Sequence, residues 1–186
     1  MRQIEPLRRI RILLAVFITG LVLSGITAFP LQTELGWLDS ILHADALQPI
    51  AESTGLLIWI ARVHSAVATT NTQFPFLAYG TDWLAFAHIV LAILFIGPFI
   101  DPLRNKWVIT FGLIACAGVF PLALIAGPLR GIPLGWRLVD CSFGAFGAIP
   151  LLLCRRIIRK LESEGPDQGS QTHPAVQSAL KAARSL

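Results

Sequence analysis

Charge is scarce in this sequence. Asp, Glu, Lys and Arg make up 14% of its 186 residues, against about 25% in a soluble globular domain. Hydrophobic residues reach 54% and the mean hydropathy is +0.67, which leaves more apolar side chain than an aqueous core of one domain can hide. Cysteine is also sparse. Cys116, Cys141 and Cys154 lie inside or at the end of apolar runs, and no CxxC occurs. A thiol-disulfide enzyme or a thiolate metal site is therefore not expected, and the three read as small apolar packing residues. GxGxxG, Walker A, GxSxG, HExxH and CxxCH are all missing, so no familiar catalytic or haem-attachment signature is present. No internal repeat of the transporter kind is evident either. The net charge is +4, yet basic residues are not interleaved with aromatics, so nucleic acid is not an expected partner.

What the chain has instead is long apolar runs. Crossing about 30 Å of hydrocarbon takes about 20 helical residues. Four segments qualify: 12–30 ("ILLAVFITGLVLSGITAFP"), 82–100, 107–126 and 134–153. The expected fold class is an all-α integral membrane protein, a four-transmembrane-helix bundle whose first partner is the lipid bilayer. Arg8, Arg9 and Arg11 before the first run also suit a secretory signal. The run exceeds the usual signal core of about 7–15 residues and no A-x-A follows, so a retained span is expected.

Charge placement orients the bundle. With four spans, residues 1–11, the 101–106 turn and the 154–186 tail share one side, which then holds Arg2, Arg8, Arg9, Arg11, Arg104, Lys106, Arg155, Arg156, Arg159, Lys160, Lys181 and Arg184. The other side keeps Arg62, Arg130 and Arg137, a split of twelve to three. The positive-inside rule places both termini in the cytoplasm of, most simply, a bacterial inner membrane. "GLLIWIARVHSAVA", 55–68, is short for a span and is interrupted by Arg62 and His64. A fifth span would also put the two basic ends on opposite faces.

Residues 31–81 thus form a long outward loop, in which two short amphipathic helices are expected, one around Trp37–Ala44 and one over 55–68. Phe74, Phe76, Tyr79 and Trp83 follow as an interfacial aromatic belt. Helices in lipid approach through small residues. Gly20 with Ser24, Gly112 with Cys116, and the "CSFGAFGA" stretch at 141–148 are the candidate seams, and an oligomer or larger membrane complex is an expected assembly. Pro98, Pro121 and Pro150 would kink their spans. Past Lys160 the tail turns polar and is expected to be flexible, with Val176, Leu180 and Ala183 at helical spacing near its end.

Polar residues of three spans converge on one level. His88 and Asp140 each fall six residues into an outside-to-inside span, and Ser24 lies six before Pro30. Six residues correspond to about 9 Å of depth. Arg137, three positions before Asp140, shares its helix face. A charge in hydrocarbon costs about 2.5–3.5 kcal/mol, so such groups pair or face water. The candidate site is therefore His88, Arg137, Asp140, Asp82 and Ser24. Its simpler reading is an Arg137–Asp140 ion pair with a hydrogen-bonded histidine that sets register. Its functional reading is an outward-opening pocket in which His88 exchanges protons or holds a ligand. Haem between His64 and His88 needs both rings to face each other across the bundle. No metal site is expected: His43, Asp39 and Asp45 read as ordinary helix polarity. The chain is expected to be an accessory or ligand-binding subunit. The rivals are an oxidoreductase component contacting quinone or haem, and an oligomeric transporter.

Overall fold

The computed structural model describes residues 4–164. These are helical apart from short turns and contain no strand. The stretches Glu5–Ala28, Pro75–Ile100, Lys106–Leu129 and Leu134–Glu164 are long and apolar enough to cross a membrane, at 24, 26, 24 and 31 residues. Their side chains are largely outward: Val16, Phe143 and Phe146 are 64%, 68% and 71% exposed. A soluble monomer rarely exposes apolar surface so continuously, and a bilayer is the medium that covers it.

The first span is α1 (Ile4–Ala28), which starts well before the apolar run. Its arginines are good helix formers and do not stop a helix, and Arg9 pairs with Glu5 one turn back at 2.8 Å. The first loop holds three helices rather than two: α2 (Leu31–Leu42), α3 (Gln48–Ser53) and α4 (Leu56–Gln73). Pro49 sits at the start of α3, where its missing N–H costs nothing. Gly55 separates α3 from α4 at φ 72°, a left-handed conformation that glycine adopts without strain.

The second span is segmented: a 3₁₀ turn at Pro75–Ala78, α5 (Tyr79–Leu94) and α6 (Ile96–Ile100). The break at Phe95 follows from Pro98, whose ring clashes with the carbonyl four residues back, that of Leu94. Asp101, before Pro102, is extended at φ −134°, ψ 91° and ends the span. The third span is α7 (Lys106–Pro121), a widened π turn at Leu122–Ala126 and α8 (Gly127–Leu129). The fourth, α9 (Leu134–Glu164), runs through Pro150 without interruption and eleven residues past the apolar run, so the start of the basic tail is helix. The sequence expectations for residues 1–3 and 165–186, including the Val176–Ala183 spacing, lie outside the described residues.

The spans pack in the order α5, α1, α9, α7. Lys106 reaches Glu162 at 2.8 Å and Arg11 donates to the Ile100 carbonyl at 3.5 Å. The start of α1, the 101–105 turn and the end of α9 therefore share one end of the bundle, the basic end. Helices α2–α4 and the 130–133 turn share the other, the cap end, where Gly135 lies against the Thr54 carbonyl. The core belongs to the basic half: Ile10, Leu14, Phe95, Ile109, Cys116, Leu151, Cys154 and Ile158 are buried together. Phe17 and Phe95 meet there at 4.7 Å between centroids, and the Cys154 thiol donates to the Ile10 carbonyl at 3.7 Å. Close helix approach makes this half dense. A Cβ on Gly144 would stand 2.7 Å from the Cys116 carbonyl, and one on Gly112 would stand 2.6 Å from Phe95 Cζ.

Candidate functional site

Toward the cap end the packing parts. Helix α5 lies along α1 but has at most marginal contact with α7 or α9. Between these walls, with α1 as floor, is a chamber of about 770 Å³. Most of its lining is apolar, from Val16, Phe17 and Leu21 on α1 to Phe143 and Phe146 on α9. Since Val16, Phe143 and Phe146 are also exposed on the bundle surface, the chamber opens sideways as well.

Three of the five candidate residues line it: Ser24, His88 and Asp140. Each arrives by a different helix. Ser24 is on the last turn and a half of α1, and Asp140 is two turns into α9. His88 is held by Gly25, where a Cβ would stand 3.0 Å from the Ala85 carbonyl and 3.2 Å from His88 Cβ. The glycine lets α5 press onto α1 at this turn. The His88 ring is anchored through Nδ1, 2.8 Å from the Leu84 carbonyl. A carbonyl can only accept, so Nδ1 carries the proton, and Nε2 remains for another partner.

The other two candidates stand apart. Arg137 turns its stem against Gly127, so that a Cβ there would stand 2.5 Å from Arg137 Cδ. Its Nε is buried without a hydrogen-bond partner. Asp82 precedes His88 by six residues, about 600° of helix rotation, so its side chain leaves α5 about 120° away from that of His88, and it does not line the chamber. Among the described residues no hydrogen bond or ion pair joins Ser24, Asp82, His88, Arg137 and Asp140. Three of them are polar groups around a shared space rather than a bonded network. The expected Arg137–Asp140 pair is not formed, because packing on α8 draws the arginine stem aside.

Arg130 takes the place the sequence reading gave to Arg137. It lines the chamber from the turn after α8, reached because Gly131 at φ 70° turns the chain there. Its signal in the sequence was slight, a single cation in a Gly/Pro turn. His64 lies elsewhere, its ring 3.8 Å from where a Gly36 Cβ would be on α2, so it and His88 do not face each other. His43 bonds the Asp39 carbonyl one turn back at 2.8 Å. The chamber has apolar walls with a few converging polar groups, and its volume lies inside the range of about 300–1,000 Å³ usual for small-molecule pockets. Comparison with protein-family models, with curated proteins and with solved structures finds no match to this chain.

Proposed function

We propose that this chain is a ligand-binding subunit of a bacterial cytoplasmic membrane, with both ends in the cytoplasm and the cap facing outward. The ligand is a lipid-soluble small molecule held in the chamber between the spans. The observation that carries this reading is the 770 Å³ chamber itself, apolar in the main and bearing Ser24, His88, Arg130 and Asp140. Helix bundles place ligand sites between facing helices in this way. The basic end gathers Arg8, Arg9, Arg11, Arg104, Lys106, Arg155, Arg156, Arg159 and Lys160 among the described residues, which supports the orientation. The broad lipid-facing surface also leaves room for a second copy or a larger membrane complex. A quinone-contacting oxidoreductase component is the second reading, favoured by Arg130 as a donor to a ring carbonyl and by His88 in the lining of the same chamber.

The test is gentle purification followed by native mass spectrometry and solvent extraction, on wild type and Gly20→Phe. Gly20 lines the chamber and has no atom within 4 Å of its would-be Cβ, so a phenylalanine fills the space without a clash at its base. Wild type should carry a bound apolar molecule, a quinone if the second reading holds, and Gly20→Phe should lose it while keeping the wild-type helical circular dichroism spectrum. Equal occupancy in both, or none in wild type, overturns the proposal.

A further inference from the structure

Above the chamber, under the cap, is a second cavity of about 510 Å³. Its walls come from the Phe29–Pro30 turn after α1, from α2 and α4, from the start of the second span and from the 130–131 turn. Arg62 and Arg130 both line it, with Gln32, Asn71, Thr81 and Trp59. No carboxylate does, although the cap half of the chain carries six acidic residues, Glu34, Asp39, Asp45, Glu52, Asp82 and Asp140, against three basic ones. Two of those three cations therefore meet at one space that no acid enters. Neither guanidinium makes a hydrogen bond or an ion pair to another described residue. The Asn71 amide donates to Gln32 Oε1 at 3.2 Å, which ties α2 to α4 and leaves the Gln32 amide N–H groups as donors. Two guanidiniums around one cavity give it a positive potential, which an anion between them would offset. The guanidinium fork is the side chain best matched to a phosphate or carboxylate.

Arg130 lines both cavities. Trp59 marks the upper one as the level of lipid headgroups, where tryptophan prefers to lie, whereas the lower one is bounded by apolar span residues. We infer that the ligand is a single-chain phosphate-bearing amphiphile, its phosphate between Arg62 and Arg130 and its chain passing Arg130 into the chamber. This deepens the chamber reading and rests on it. At about 30 Å³ per water-sized group, 770 Å³ holds roughly two dozen such groups, room for one long chain.

Full-length protein in detergent is titrated with lysophosphatidic acid, with the matching uncharged monoacylglycerol and with inorganic phosphate, and binding is followed by native mass spectrometry and tryptophan fluorescence. Lysophosphatidic acid should bind at least tenfold more tightly than either other probe. Arg62→Gln and Arg130→Gln should each weaken it at least tenfold, with Arg62→Lys intermediate, and Arg62→Gln, which lies outside the chamber, should leave the monoacylglycerol unchanged. Both arginines are exposed, so these variants should fold. If both Gln variants bind lysophosphatidic acid like wild type while Gly20→Phe still excludes monoacylglycerol, the phosphate site is wrong and the chamber stands. Inorganic phosphate binding as tightly as the lipid overturns the role of the chain. Failure of both lipids to bind wild type overturns the chamber itself.

Discussion

Replacing Gly144 by alanine tests the packing of the basic half. The new Cβ would stand 2.7 Å from the Cys116 carbonyl and 3.2 Å from Val119 Cβ and Phe120 Cε2. Ordinary contact begins at 3.4 Å, so α7 and α9 must part locally by about 0.7 Å. A backbone carbonyl inside a helix cannot rotate away as a side chain can. Overpacking of this kind costs about 1–3 kcal/mol, and a gap of that width forfeits a quarter to a half of each neighbouring dispersion contact. Alanine returns about 0.8–1.0 kcal/mol of helix propensity over glycine, so the net loss should be about 1 kcal/mol. Gly20→Ala and Gly118→Ala, with nothing within 4 Å, should instead gain up to about 1 kcal/mol. The two classes differ by about 2 kcal/mol, roughly thirtyfold in the folding equilibrium. Unfolding in mixed micelles of rising dodecyl sulfate fraction, followed by circular dichroism, measures this. If Gly144→Ala is as stable as Gly20→Ala, the close approach of α7 and α9 is refuted.

Four further outcomes are expected. A double-mutant cycle of Arg137→Gln and Asp140→Asn should be additive within about 0.5 kcal/mol, since no ion pair links them; coupling above about 1 kcal/mol would restore the pair. Lys106 and Glu162 are 62% and 44% exposed, so Glu162→Gln should cost no more than about 1 kcal/mol and less at high salt, read from melting at two ionic strengths; a larger loss contradicts the bridge as described. Gly131→Ala has open space but φ 70° and should cost about 1–2 kcal/mol, whereas Gly80→Ala should be neutral or better; equal melting of the two would remove the left-handed turn. In a background of Cys116→Ala, Cys141→Ala and Cys154→Ala, cysteines at Gln73 and Leu129 should react with impermeant maleimide from outside, and those at Arg104 and Ser163 should not. Any other pairing overturns the orientation.

The four spans were legible because a run of about twenty apolar residues has few other meanings. Their ends were not, at the basic end. Hydropathy marks where lipid stops, while α1 and α9 continue through arginines that favour helix as well as leucine does. The third loop helix was hidden because Gly55 and Pro49 look like punctuation in a connection and here delimit a helix of six residues. At the site, depth along a helix was readable and direction was not. Counting residues placed Ser24, His88 and Asp140 at one level, and all three line one chamber. Asp82 required the 3.6-residue period to be applied, and Arg137 required knowledge of its neighbour Gly127, which no local pattern supplies. Gly20 and Gly25 exchange roles for the same reason: the spacing Gly20–Ser24 suggests a seam, yet Gly25 makes the close contact and Gly20 faces the space.

The two most extensive pairings in the bundle, α1 with α5 and α7 with α9, each join spans from the same half of the chain. Each half can therefore enter the bilayer as a finished antiparallel hairpin during synthesis, while the α1–α9 seam, the α6–α7 contact and the approach of Gly135 to Thr54 must wait for both. A chain divided near Leu103 would yield two fragments that each own a hairpin. Coexpressed, they should reassemble, at the expense of the Asp101 carboxylate that accepts from the Arg104 N–H at 3.1 Å.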